Sequence, residues 1–118
     1  MPKSTVAPSL AEFELYIMLA LARREDEGYG AAVKREIEGR TGRGVSIGAV
    51  YATLGRLEDK GMLGHAVSAP TPVQGGRARK LYHLTELGQE AVRQATFRLG
   101  RMMDGLAPDS GAGAGRGR

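Results

Sequence analysis

The chain has 118 residues, a hydrophobic fraction of 42%, no cysteine, no tryptophan and only two phenylalanines. That length supports one domain around one core. The missing cysteines exclude disulfides, thiolate metal sites and cysteine nucleophiles, and the scarce aromatics argue against a large aromatic-lined pocket within one copy. Formal net charge is +4, with a sequence pI of about 9.8, and the excess is unevenly placed. Residues 40–80 hold Arg40, Arg43, Arg56, Lys60, Arg77, Arg79 and Lys80 against Glu58 and Asp59, a balance of +5, whereas the remainder sums to −1. Positive charge gathered in one stretch points to a surface for a polyanion.

Residues 1–8 read as a flexible arm without the basic-then-apolar layout of a signal peptide. No apolar run reaches membrane-spanning length, so the expected location is the cytoplasm, with the nucleoid. Ser9-Leu10-Ala11-Glu12 matches a capping box, and a first helix runs from there to about Arg24. Leu10, Phe13, Ile17 and Leu21 form one apolar stripe; Leu15, Met18, Leu19 and Ala22 form a second. A helix apolar on both sides is either central to its own core or presents one stripe, here Leu15, Met18 and Leu19, to a second subunit.

After the charged turn 25–28, a second helix spans about 29–41, with Tyr29, Val33 and Ile37 on its buried face and Gly42 as its left-handed end. Ser46 caps a third helix over 47–60, closed by Gly61, with Ile47, Val50, Leu54 and Leu57 facing inward. Residues 63–69 and 78–84 read as two strands joined by 70–77, with Gly75-Gly76 as the tight turn. Thr85 caps a last helix that continues to about Leu106, where Val92, Ala95, Leu99, Met102 and Leu106 make a short a/d seam. That seam packs either on its own domain or on a second copy; no later element is available to cover it. Residues 107–118 are rich in Gly, Ala and Ser and are expected to be disordered. The fold class is therefore mainly α: a winged helix-turn-helix over 9–84 with three helices and a two-stranded β wing, followed by a C-terminal dimerisation helix over 85–106.

In a helix-turn-helix the second helix enters the major groove, and a following hairpin reaches phosphates or the minor groove. With the apolar stripe inward, Gly48, Ala49, Ala52, Gly55, Arg56 and Asp59 point outward. So small a face either lets the helix backbone lie deep in a groove or is an undemanding surface. Arg56 is the one fork on it suited to guanine, while the hydroxyls of Ser46 and Tyr51 suit phosphates. Arg77, Arg79 and Lys80 cluster at the hairpin; protection of an edge strand explains one lysine, but three cations fit phosphate contact better. The expected DNA-binding set is thus Ser46, Gly48, Ala49, Tyr51, Ala52, Arg56, Arg77, Arg79 and Lys80, with affinity drawn largely from backbone contacts and DNA shape.

Three stretches resemble the PadR family of bacterial and archaeal transcriptional regulators: Gly28-Tyr29-Gly30; the run Gly48-Ala49-Val50-Tyr51-Ala52-Thr53-Leu54-Gly55-Arg56-Leu57-Glu58-Asp59-Lys60-Gly61-Met62-Leu63; and residues 76–88, GRARKLYHLTELG. The middle stretch is similar to the family's recognition helix entering its wing, and the last to the returning wing strand. The resemblance implies a homodimer held by the first and last helices that represses transcription at a pseudo-palindromic operator. It also implies release by a small, often aromatic or cationic, effector or by another cellular signal. The chain departs from many relatives in stopping after one C-terminal helix, as in a compact subgroup. It lacks the tryptophan on which some members stack drugs, and its Gly/Arg tail is outside the family pattern.

The alternative is a winged-helix adaptor that binds protein and no operator. An enzyme is not expected: His65 and His83 have no cysteine partner and no carboxylate at ligand spacing, and no phosphate-cradling glycine loop is present, so no metal or cofactor is expected either.

Overall fold

A computed structural model describes residues 8–68 and 79–106. The element order is α1 (Glu12–Arg23), α2 (Gly30–Thr41), α3 (Ile47–Asp59), β1 (Leu63–Val67), β2 (Lys80–Leu84) and α4 (Glu86–Met103). The two strands form an antiparallel sheet in which Leu63 faces Leu84 and Val67 faces Lys80. The mainly helical winged-helix class expected above is what the chain adopts. The hairpin tip with Gly75-Gly76 and Arg77, the arm over 1–7 and the tail over 107–118 lie outside the described residues.

Ile17, Met18 and Leu21 from α1, Val33 and Ile37 from α2, Val50, Leu54 and Leu57 from α3, and Met62, Leu63 and Tyr82 of the wing build one core. Removing such apolar area from water is the main stabilising term. α1 is the central element, touching α2, α3, α4 and the wing. Met18, expected on the partner-facing stripe, is wholly buried in this core. It is placed there by Gly88 of α4, which brings that helix so near that a Cβ would meet the Met18 Cε at 3.1 Å. Leu15 and Leu19 of the same stripe stay half-buried.

Local chemistry moved several boundaries. The capping box sits two residues later than Ser9: Ala11 is the N-cap, and its N–H donates to Glu14 Oε1 at 2.9 Å. Alanine has no side-chain acceptor, so only the carboxylate half of the box is made. Ser46 does cap α3, accepting from the Ala49 N–H at 3.0 Å, and Gly42 closes α2 at φ 73°. Ile47, expected in the buried stripe, is 40% exposed, because the first turn of α3 overhangs the core; Thr53 takes a buried place instead. α4 stops at Met103, short of Leu106, and Gly105 follows at φ 82° in the left-handed region that releases a helix.

The wing is fastened at both ends. The Tyr82 N–H donates to the Gly28 carbonyl at 2.7 Å, so the segment before α2 pairs with β2. A Cβ on Gly28 would collide with the Tyr82 carbonyl, which is why glycine stands there. Thr85 accepts from the Gly88 N–H at 3.1 Å, as expected for its cap, and also donates its hydroxyl to the Gly61 carbonyl at 2.7 Å.

Candidate nucleic-acid interface

α3 carries an outward face of Gly48, Ala49 and Ala52, all exposed, and nothing lies within 4 Å of a Cβ added at Gly48 or Gly55. Small side chains therefore leave the helix backbone open to whatever approaches. Arg56 stands exposed at one border of this face, its Nη2 donating to Thr53 Oγ1 at 3.1 Å. That bond uses one of five guanidinium donors and leaves the other four free of Thr53. Tyr51 stands at the other border, half exposed, its ring against Gly30, where a Cβ would meet Cε1 and Cζ at 2.6 Å. Tyr-Gly pairing of this kind explains the second glycine of Gly28-Tyr29-Gly30: it leaves room for an aromatic ring between α2 and α3.

The wing and α2 flank Tyr51 across an open groove of about 740 Å³, whose walls include Tyr29, Arg35, Tyr51, Arg79 and Lys80. Arg79 is held at the sheet end, where its N–H donates to Ser68 Oγ at 3.0 Å and its carbonyl accepts from the Ser68 N–H at 2.7 Å. Its guanidinium lies 4.4 Å over the Tyr29 ring, a cation–π stack. The nearby guanidiniums of Arg79, first, and Arg35 hold the Tyr29 phenol below its ordinary pKa.

Ion pairing sorts the basic residues into two groups. Three cations of the 40–80 stretch are engaged by carboxylates: Arg40 with Glu36, Arg43 with Glu12 at 3.6 Å, and Lys60 with Glu14 at 3.3 Å. Among the described residues, Arg35, Arg56, Arg79 and Lys80 pair with no carboxylate. The charge without carboxylate partners is thus narrower than the stretch, and Arg35, which lies before it in sequence, shares that state. Tyr29 and Arg35 were not legible as site residues, because α2 had only an inward pattern to read. Of the expected set, Tyr51, Arg79 and Lys80 meet as walls of the groove; Ser46, Gly48, Ala49, Ala52 and Arg56 are exposed along α3 and its cap, and Arg77 is outside the described residues.

His65 Nδ1 lies 2.5 Å from Glu58 Oε2, joining β1 to α3, and among the described residues no group of three potential metal-ligating side chains occurs. No described helix is long and apolar enough to cross a membrane.

On α4, Gly88 and Ala91 are buried, Val92 packs against the core, and Ala95 is half-buried. Further along the same stripe Leu99 is 51% exposed and Met102 76%, and Leu106, beyond the helix, is 80% exposed. The protomer's own core covers the start of this stripe and leaves its end bare.

A family model described as the transcriptional regulator PadR-like family matches residues 18–94. RosR of H. salinarum is 28% identical, with a TM-score of 0.61 over 83% of this chain and 81% of that one. A PadR-like transcription factor from Bacteroides fragilis shares the fold at 22% identity and a TM-score of 0.63, over 76% and 82% of the two chains. A PadR-like regulator from Bacillus cereus does so at 23% identity and a TM-score of 0.63, over 76% and 82%. No curated protein matches the chain significantly. PadR-like proteins are DNA-binding transcriptional regulators and not enzymes. The family match begins inside α1 and ends inside α4, so it takes in the helix-turn-helix and both wing strands: the chain belongs to the PadR-like family of transcriptional regulators.

Proposed function

We propose that the chain is a homodimeric repressor that occupies a pseudo-palindromic operator through α3 and the basic wing. The observation that carries this reading is the segregation of charge. Arg35, Arg56, Arg79 and Lys80, without carboxylate partners among the described residues, lie on or near α3 with its exposed small side chains, whereas Arg40, Arg43 and Lys60 are paired. In a two-fold dimer the two α3 helices would enter successive major grooves about 34 Å apart. Repression follows by steric occlusion of the promoter in the cytoplasm, on nucleoid DNA. The domain layout that goes with this reading is a winged helix over 9–84 and a dimerisation helix over 85–106, flanked by an N-terminal arm and a Gly/Arg tail.

Release by a small-molecule effector belongs to the same proposal and is supported by the family resemblance. The apolar hollow between α1 and α2, bounded by Tyr16, Leu19, Ala20 and Ile37, measures about 220 Å³. Small-molecule sites ordinarily exceed about 300 Å³, so this hollow by itself is small for an effector.

Salt tests the reading. Phosphate contacts make log K fall steeply with log salt, and Arg79→Ala should weaken binding to every duplex and flatten that slope by about 0.9 for each phosphate no longer neutralised. Arg56→Ala should instead cost about 1–3 kcal/mol at the preferred site and little on random DNA. The competing adaptor reading is favoured by the exposed apolar surface of Ile47 and Tyr51 on α3. It requires no measurable duplex binding at low ionic strength.

A further inference from the structure

The groove beside Tyr29 holds a charge imbalance that the described protein leaves unresolved. Arg79 lies over the Tyr29 ring at 4.4 Å, and Arg35 and Lys80 line the same groove. Glu58, the carboxylate among the groove's described walls, is engaged by His65 at 2.5 Å. Cations lining one groove beside a neutral phenol repel each other, and an anion between them reverses the sign of that interaction. Each guanidinium has five donors, and a planar fork matches the oxygens of a phosphate.

We propose that Tyr29, Arg35 and Arg79, with Lys80 at the rim, form a seat for one backbone phosphodiester of the bound duplex. α2 then contacts DNA beside α3 and the wing. This rests on the DNA-binding reading above. A duplex phosphate fits the position because Tyr51 and Gly55 of α3 form another wall of the groove, so a strand lying along α3 runs past it. Tyr29 is the positioning residue: its ring is the platform under Arg79, and both guanidiniums act on its phenol.

The test uses the full chain and a fluorescein-labelled mixed-sequence duplex, with anisotropy titrations across a range of salt. Arg35→Ala should bind roughly tenfold more weakly at low salt and lose about 0.9 from the log K–log salt slope for each seat engaged. Arg35→Lys should recover the slope but not the full affinity. Tyr29→Phe keeps the stack and the charges, so it should weaken binding severalfold with no change in slope. Thermal unfolding of each variant, monitored by circular dichroism, should match the wild type because Arg35 is exposed. Wild-type affinity and slope in Arg35→Ala would overturn the seat and leave DNA binding intact. Failure of the wild-type chain to bind any duplex would overturn both.

Discussion

Two glycines on neighbouring helices set opposite limits on substitution. At Gly30 a methyl group would enter the Tyr51 ring, whereas at Gly55 it would meet open space. Gly55→Ala should therefore raise stability by about 1 kcal/mol, the ordinary helix preference for alanine. If the α3 backbone lies against a groove floor, the same change should lower duplex affinity. Gly30→Ala should destabilise and displace Tyr51, which chemical denaturation and tyrosine fluorescence would report. Of this contrast, the helix penalty at Gly55 was legible in the sequence. The ring over Gly30 was not, because it depends on the crossing of two helices and not on spacing within either. Ile47 shows the same limit: its three-residue step to Val50 fits an inward stripe, but periodicity does not tell where a helix runs off the edge of its core.

Between elements, ion pairs do what apolar periodicity cannot reveal. Glu36 of α2 accepts from Arg24, which follows α1, at 2.9 Å, and from Arg40 in its own helix. These bonds, that from Arg40 first, hold the Glu36 carboxyl below its ordinary value. A carboxyl with a folded pKa below its unfolded one stabilises fully above the unfolded value, near 4.5, and loses that contribution as pH falls through the folded value. Glu36→Gln should thus lower the urea midpoint at neutral pH, and the difference from wild type should shrink under acid conditions. Element order was legible throughout, because helical stripes, the glycines after α2 and α3, and the Ser46 and Thr85 caps each leave a local mark. Which cations remain available to an anion was not. Arg43 and Lys60 are taken up by Glu12 and Glu14 from the far end of the chain, whereas Arg35 gains its place through Tyr29.

For the molecule as a whole, α4 is a helix only partly accounted for by its own domain. Its apolar stripe is covered as far as Ala91 and bare at Leu99 and Met102. A second copy aligned along the bare half would remove that surface from water, each large side chain contributing about 1.5–3 kcal/mol when fully covered. Leu99→Glu should yield monomers in sedimentation velocity and weaken operator binding by loss of the second half-site, while leaving the monomer's fold intact. A dimer that persists in the Leu99→Glu variant would show that α4 pairs elsewhere or not at all.

Thr85 sits where three elements meet. Its hydroxyl grips the Gly61 carbonyl at the end of α3, its N–H donates to the Met62 carbonyl at 3.1 Å before the wing, and its oxygen starts α4. With Gly88 pressed against Met62 as well, the root of α4 has no slack relative to the helix-turn-helix. Tilting α4 would swing the reading head like a rigid crank, so a small change in how two such shafts cross would translate into a different spacing between the two heads.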